Sequence, residues 1–162
     1  MKRKKYLNTI QGQVYLKHKR DFRRQYYSIS QELKTKKSMN TKMKIEFQEQ
    51  LLELMSKYKR TVYRSPLIMS LSFWSNQQNP PSIHNLAKNY LDLLEKPIKD
   101  LNTNRKRLLF DDDKLINILI VDYNVGNYDF NIYDKPVINI EVNNLNYFLE
   151  DINLIPRICV SR

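Results

Sequence analysis

Residues 66–95 read PLIMSLSFWSNQQNPPSIHNLAKNYLDLLE, and this stretch decides the fold. Leu67, Met69, Leu71 and Phe73 alternate with Ser70 and Ser72, which predicts a strand over Pro66–Trp74 with one apolar face. A polar loop, Ser75–Pro81, follows. Pro80-Pro81-Ser82 is a stop and then an N-cap, so a helix begins at Ile83. It runs to about Glu95 and ends before Pro97. Ile83, Leu86, Ala87, Tyr90, Leu91 and Leu94 form its apolar stripe. His84, Lys88 and Asp92 recur every four residues and share the opposite face.

Further elements flank this unit on both sides. Asn40-Thr41 caps a second helix reaching about Tyr58, with Met43, Phe47, Leu51, Leu54 and Tyr58 inward and Lys44, Gln48 and Lys57 outward. After the basic loop Lys96–Arg107 and the triplet Asp111-Asp112-Asp113, the run Leu115–Tyr123 is apolar enough for a central strand covered on both faces. Asn124–Asn127 reads as a turn, Tyr128–Tyr133 as a short strand and Leu145–Ile152 as a closing helix. Pro136–Val142 alternates cleanly, Ile138, Ile140 and Val142 against Asn139 and Glu141. Ahead of residue 40 no clear period emerges; Ile10–Leu16 is compatible with a strand and Asp21–Leu33 with a helix. The expected class is α+β, a mixed sheet of about four to five strands with two or three helices packed on it. The expected division is a basic segment, residues 1–38, and an α+β domain, residues 39–162, in one compact body.

The chain has 162 residues and a net charge of +11. Residues 1–64 hold 18 Lys/Arg against 5 Asp/Glu, whereas residues 65–162 hold 10 against 12. A basic half points to a polyanionic partner. Lys17, Lys19, Arg20, Arg23, Arg24, Arg105, Lys106 and Arg107 are the expected phosphate contacts, which position a nucleic acid without reading its sequence. Tyr6, Tyr15, Tyr26 and Tyr27 are candidates for stacking on unpaired bases, or else core aromatics. No stretch is long and apolar enough to span a membrane. The one cysteine, Cys159, suits a reducing, cytoplasmic compartment and a place in the core.

Carboxylates just ahead of a strand, as in Asp111–Asp113, are the oxygen ligands that Mg²⁺ prefers, and phosphodiester hydrolysis uses such a metal. The plainer reading of the triplet is a solvated turn. The plainer reading of His84, Lys88 and Asp92 is a solvent-facing stripe.

Taken together, the run Ser82–Leu94 and the later Leu109–Leu115 resemble the core of the RusA-type Holliday-junction resolvases. Asn85, Lys88, Asp92, Asp111 and Asp112 match that family in type and order, and strands stand before and after as they do there. The resemblance covers roughly residues 40–142. It implies a homodimeric, Mg²⁺-dependent (or Mn²⁺-dependent) endonuclease that resolves branched DNA. Asp112 is then the main metal ligand and Asp111 its support. Lys88 contacts the scissile phosphate. Asn85, Asp92 and Asp113 have supporting roles. The chain departs from the pattern where the family has two aspartates, placing Ser82 and His84 there. His84 supplies a ligand but no negative charge, and it suits Mn²⁺ or Zn²⁺ better than Mg²⁺. The departure opens one alternative, a RusA-like DNA-binding protein without cleavage, and the charge and aromatics suffice for another, a basic RNA-binding protein.

Overall fold

A computed structural model describes residues 8–13, 24–58, 61–125, 135–146 and 148–149. Its elements are β1 (Gln25–Ser30), α1 (Thr41–Lys57), β2 (Leu67–Ser75), α2 (Ile83–Glu95), a 3₁₀ turn (Asp113–Leu115), β3 (Ile116–Val125) and β4 (Val137–Asn144). The strands form one mixed sheet in the order β1-β4-β2-β3. β4 runs antiparallel to both β1 and β2, and β2 runs parallel to β3. The class is α+β, as the element pattern predicts.

Both helices lie on one face of the sheet. Leu67, Met69, Leu71 and Phe73 from β2 meet Ile138, Ile140 and Val142 from β4 and Tyr27 and Ile29 from β1 there. Phe47 of α1 and Tyr90 of α2 close the centre, with ring centroids 5.2 Å apart, and Phe73 lies 5.5 Å from Tyr90. Strict alternation in the strands makes such a face possible, since successive side chains point to opposite sides.

Local chemistry sets the helix ends. The Asn40 side chain accepts from the Met43 N–H at 2.9 Å, and Ser82 accepts from the Asn85 N–H at 3.3 Å. α2 stops at Lys96, which is extended because Pro97 follows. Gln48 of α1 meets the stop. Its amide donates to Leu93 O and Lys96 O, both at 2.8 Å, and its carbonyl accepts from the Ile98 N–H at 2.9 Å. The sequence pattern had put Gln48 on the solvent side. It is fully buried, because the end of α2 leaves backbone groups that only a long polar side chain can satisfy.

Other expectations are corrected. Within the predicted helix Asp21–Leu33, residues Gln25–Ser30 are a strand with alternating burial; Tyr26, Tyr27 and Ile29 favour the pleated surface, and β4 supplies a partner. That strand belongs to the same sheet as the rest. Within Ile10–Leu16, residues 10–13 are helical, with the Thr9 hydroxyl accepting from the Gly12 N–H at 3.1 Å in N-cap fashion; residues 14–16 lie outside the described residues. The apolar run Leu115–Tyr123 is β3 and stands at the edge among the described strands, with Leu119, Ile120 and Val125 between 40% and 53% exposed. The turn at Asn124–Asn127 is displaced, since Asn124 and Val125 still belong to β3. The predicted strand Tyr128–Tyr133 falls outside the described residues, as does Cys159. Of the closing helix, residues 145–146 and 148–149 are helical.

Candidate functional site

The predicted site joins the start of α2 to the Asp triplet before β3, and the topology holds these apart. β2 and β3 are parallel neighbours, with Leu67 opposite Ile116 and Ser75 opposite Val125. α2 must therefore start near the C-terminal end of β2 and return toward the N-terminal end of β3. Backbone bonds fix that return: Leu108 N–H donates to Glu95 O and Leu109 N–H to Leu94 O, both at 2.9 Å. Tyr63 N–H then donates to Leu109 O, and Asp111 N–H to Tyr63 O. The triplet thus sits at the C-terminal end of α2. His84 lies ten residues before Leu94, about 15 Å along the helix axis at 1.5 Å per residue.

Each end has its own company. His84, Asn85 and Lys88 are exposed on the first turns of α2, and Ser82 is used as the cap. Asp92 stands one turn beyond Lys88 and pairs with Lys36 at 2.9 Å. The loop carrying Lys36 is pinned to α2 by Asn89, which is buried and donates to Lys34 O at 2.8 Å, and by Tyr90, whose hydroxyl accepts from the Lys34 N–H at 3.3 Å. At the other end, Arg107 clips the last turn of α2 to the triplet, through Glu95 at 3.1 Å and Asp111 at 3.6 Å. Asp112 caps the 3₁₀ turn, accepting from the Lys114 N–H at 2.9 Å. That bond holds its carboxyl below the usual carboxylate range. Asp113 is exposed and begins the turn itself.

The donor set proposed for Mg²⁺ does not fit this arrangement. His84 is a helix length away from Asp111 and Asp112, and those two carboxylates are engaged by a guanidinium and by a backbone N–H. Among the described residues no three His, Cys, Asp or Glu side chains converge on a point that a metal ion would occupy. Lys88 stands six residues before Leu94, about 9 Å along the helix axis from the end that meets the triplet.

Of the expected phosphate contacts, Lys17, Lys19, Arg20 and Arg23 lie outside the described residues. Arg24 is half-buried and pairs with Glu141 at 3.7 Å. Arg105 is half-buried in the loop after α2, and Lys106 beside it is exposed. Arg107 is committed to its two carboxylates. Arg64, Lys88 and Lys106 are exposed cations without a carboxylate partner among the described residues.

Three features escaped the sequence reading: the Gln48 bridge, the Asn89 anchor and the face of the sheet opposite the helices. The alternation in Pro66–Trp74 and Pro136–Val142 held the signal for the last, since it names a polar side for each strand. No helix among the described residues is long and apolar enough to cross a membrane. The chain matches no protein-family model, and comparison with curated proteins returns no match.

Proposed function

We propose that this chain is a nucleic-acid-binding protein that works by holding its target and has no cleavage centre between α2 and the Asp triplet. The positive charge carries this reading: +11 overall, with the excess confined to residues 1–64. A polyanion bound by such a surface releases counterions, so affinity falls steeply with salt. The exposed cations Arg64, Lys88 and Lys106 are free to contribute. The gap between His84 and Asp112 favours binding over the RusA-type hydrolysis that the motif order suggests. Branched DNA is the first target to try, with the chain acting as a two-fold dimer on a two-fold substrate.

The test is titration of the full chain against a four-way DNA junction, duplex DNA and a structured RNA at several salt concentrations, followed by incubation of the junction with Mg²⁺ or Mn²⁺. The expected result is salt-sensitive binding and an intact junction with either metal. Paired nicks that vanish in Asp112→Asn would overturn the reading and restore a resolvase. Absence of binding at low salt to all three targets would end it altogether.

A further inference from the structure

The two outer strands of the described sheet are finished differently. β1 has outward backbone groups covered by α1 and its C-cap. Gln50 accepts from the Ser30 N–H and donates to Ser30 O, both at 3.3 Å, and the Tyr58 hydroxyl donates to Tyr26 O at 3.0 Å. A bare strand edge is a template for another chain, and such cover removes it. β3 has no such cover among the described residues, where its one neighbouring strand is β2. Its ten residues, INILIVDYNV, include no proline and no lysine, the usual blocks at an edge. Leu119, Ile120 and Val125 are 40%, 51% and 53% exposed along it. Asp122, its one charge, accepts from the Ser72 hydroxyl of β2 at 2.8 Å and so turns toward the neighbouring strand.

We propose that the free edge of β3 pairs with β3 of a second copy of this chain, antiparallel about a two-fold axis at Ile120. The two sheets then continue as one, with both helices of each copy on the same face. An axis perpendicular to the sheet keeps facing residues on the same side, so it passes through a residue that meets itself. With the axis at Ile120, Ile120 faces Ile120, Leu119 faces Val121, and Val125 comes level with Leu115. A shift of one residue spoils the match. At Leu119 the axis sets Val125 against Asp113, and at Val121 it sets Ile120 against Asp122. Facing side chains are the unit of sheet stabilisation, and in the Ile120 register each of the three exposed apolar side chains gains an apolar partner.

Charge fixes the direction of the pairing. Asp111, Asp112 and Asp113 are exposed at the N-terminal end of β3. Parallel pairing would set two such triplets side by side. Antiparallel pairing parts them by more than the length of the strand, about 33 Å for ten residues. It also lays each triplet toward the end of the other copy where α2 starts. There the loop Ser75–Pro81 carries no charge, and the N-terminal half-charge of α2 together with the exposed Lys88 favours carboxylates. The edge is thus complementary to itself in apolar contact and in charge, as a closed two-fold interface requires. The pairing involves no nucleic acid, so it stands or falls apart from the binding reading above.

The test is sedimentation of the full chain, free of nucleic acid, across a wide concentration range. The expected result is a dimer that dissociates on dilution. Ile120→Lys sets two like charges on the axis and is expected to yield a monomer with the circular dichroism of the parent, since Ile120 is exposed in the single chain. Ser28→Lys, on the covered strand β1, is expected to leave the dimer intact. In a Cys159→Ser background, Ile120→Cys is expected to oxidise to a symmetric disulfide dimer. Ile118→Cys is not, because its two copies stand four residues apart, about 13 Å along the strands and beyond disulfide reach. Should Ile120→Lys fail to fold, the cross-linking pair decides alone. A monomer at every concentration, a dimer that survives Ile120→Lys, or cross-linking through Ile118→Cys in preference to Ile120→Cys would each overturn the proposal.

Discussion

The two faces of the sheet are built from the same strands and differ in almost everything else. On the helix side, Phe73, Ile138, Leu71 and Ile140 are buried beneath α1 and α2. One residue along, Ser72, Asn139 and Ser70 stand on the other side with Asp122, all half-buried, and the Ser72 hydroxyl donates to Asp122 at 2.8 Å. The apolar face is where the fold is decided. The polar face adds little apolar burial, since serines and asparagines stand where the helix side has Leu, Ile and Phe. One strand therefore carries core residues and polar residues at alternate positions.

Substitutions on β2 break the comparison most directly. Phe73→Ala removes a fully buried ring and should cost about 4 kcal/mol in urea unfolding, whereas Ser70→Ala, three residues away on the open face, should stay within about 0.5 kcal/mol. Similar losses at both positions would mean that the open face is covered after all.

Alkaline pH probes the helix side alone. Burial of the Tyr90 hydroxyl pushes its pKa from 10.0 up to about 12, against a weaker opposing bond from the Lys34 N–H. Between those values the unfolded chain gives up this proton and the folded chain keeps it. Stability should then fall as pH rises from 10 to about 12, by at most roughly 3 kcal/mol at two pKa units. Tyr90→Phe should remove that component of the slope, measured by denaturant titration at each pH.

Gln48→Leu has the smallest expected effect of the core set, near 2 kcal/mol, since the apolar side chain fills the space but leaves the Leu93 and Lys96 carbonyls and the Ile98 N–H without their partner. Its distinguishing mark is local: hydrogen exchange should accelerate at Ile98 and over the last turn of α2 before it does in β2.

Periodic segments were legible from sequence. β2, α1, α2 and β4 all appear within a residue or two of where alternation or helical spacing puts them. The misses have physical causes. A run such as Leu115–Val121 tells how apolar a strand is, not which elements cover it, and β3 stands at the edge among the described strands. Gln25–Ser30 alternates, but its six residues sit in a basic, aromatic stretch whose partner, β4, lies more than a hundred residues on. The candidate site failed on one non-local fact. Spacing along the chain brings His84, Lys88 and Asp112 within a plausible reach, yet a helix joining two parallel strands puts its first turn and the start of the second strand at opposite ends. Only the parallel pairing of β2 with β3, which no local pattern specifies, reveals this.

The position of β4 has a consequence for how the molecule is made. It is the last of the described strands in sequence, yet it lies between β1 and β2 and is the sole neighbour of β1 among them. Tyr26 and its cross-strand partner Glu141 are 115 residues apart. During synthesis, β1 has no place to dock until residues 137–144 have left the ribosome, and the β2-α2-β3 unit must wait with one flank of β2 open. Such late, long-range closure slows folding and leaves strand edges exposed to wrong partners in the meantime. A nascent chain halted after β3 should remain a substrate for chaperones, and its release should coincide with the arrival of β4.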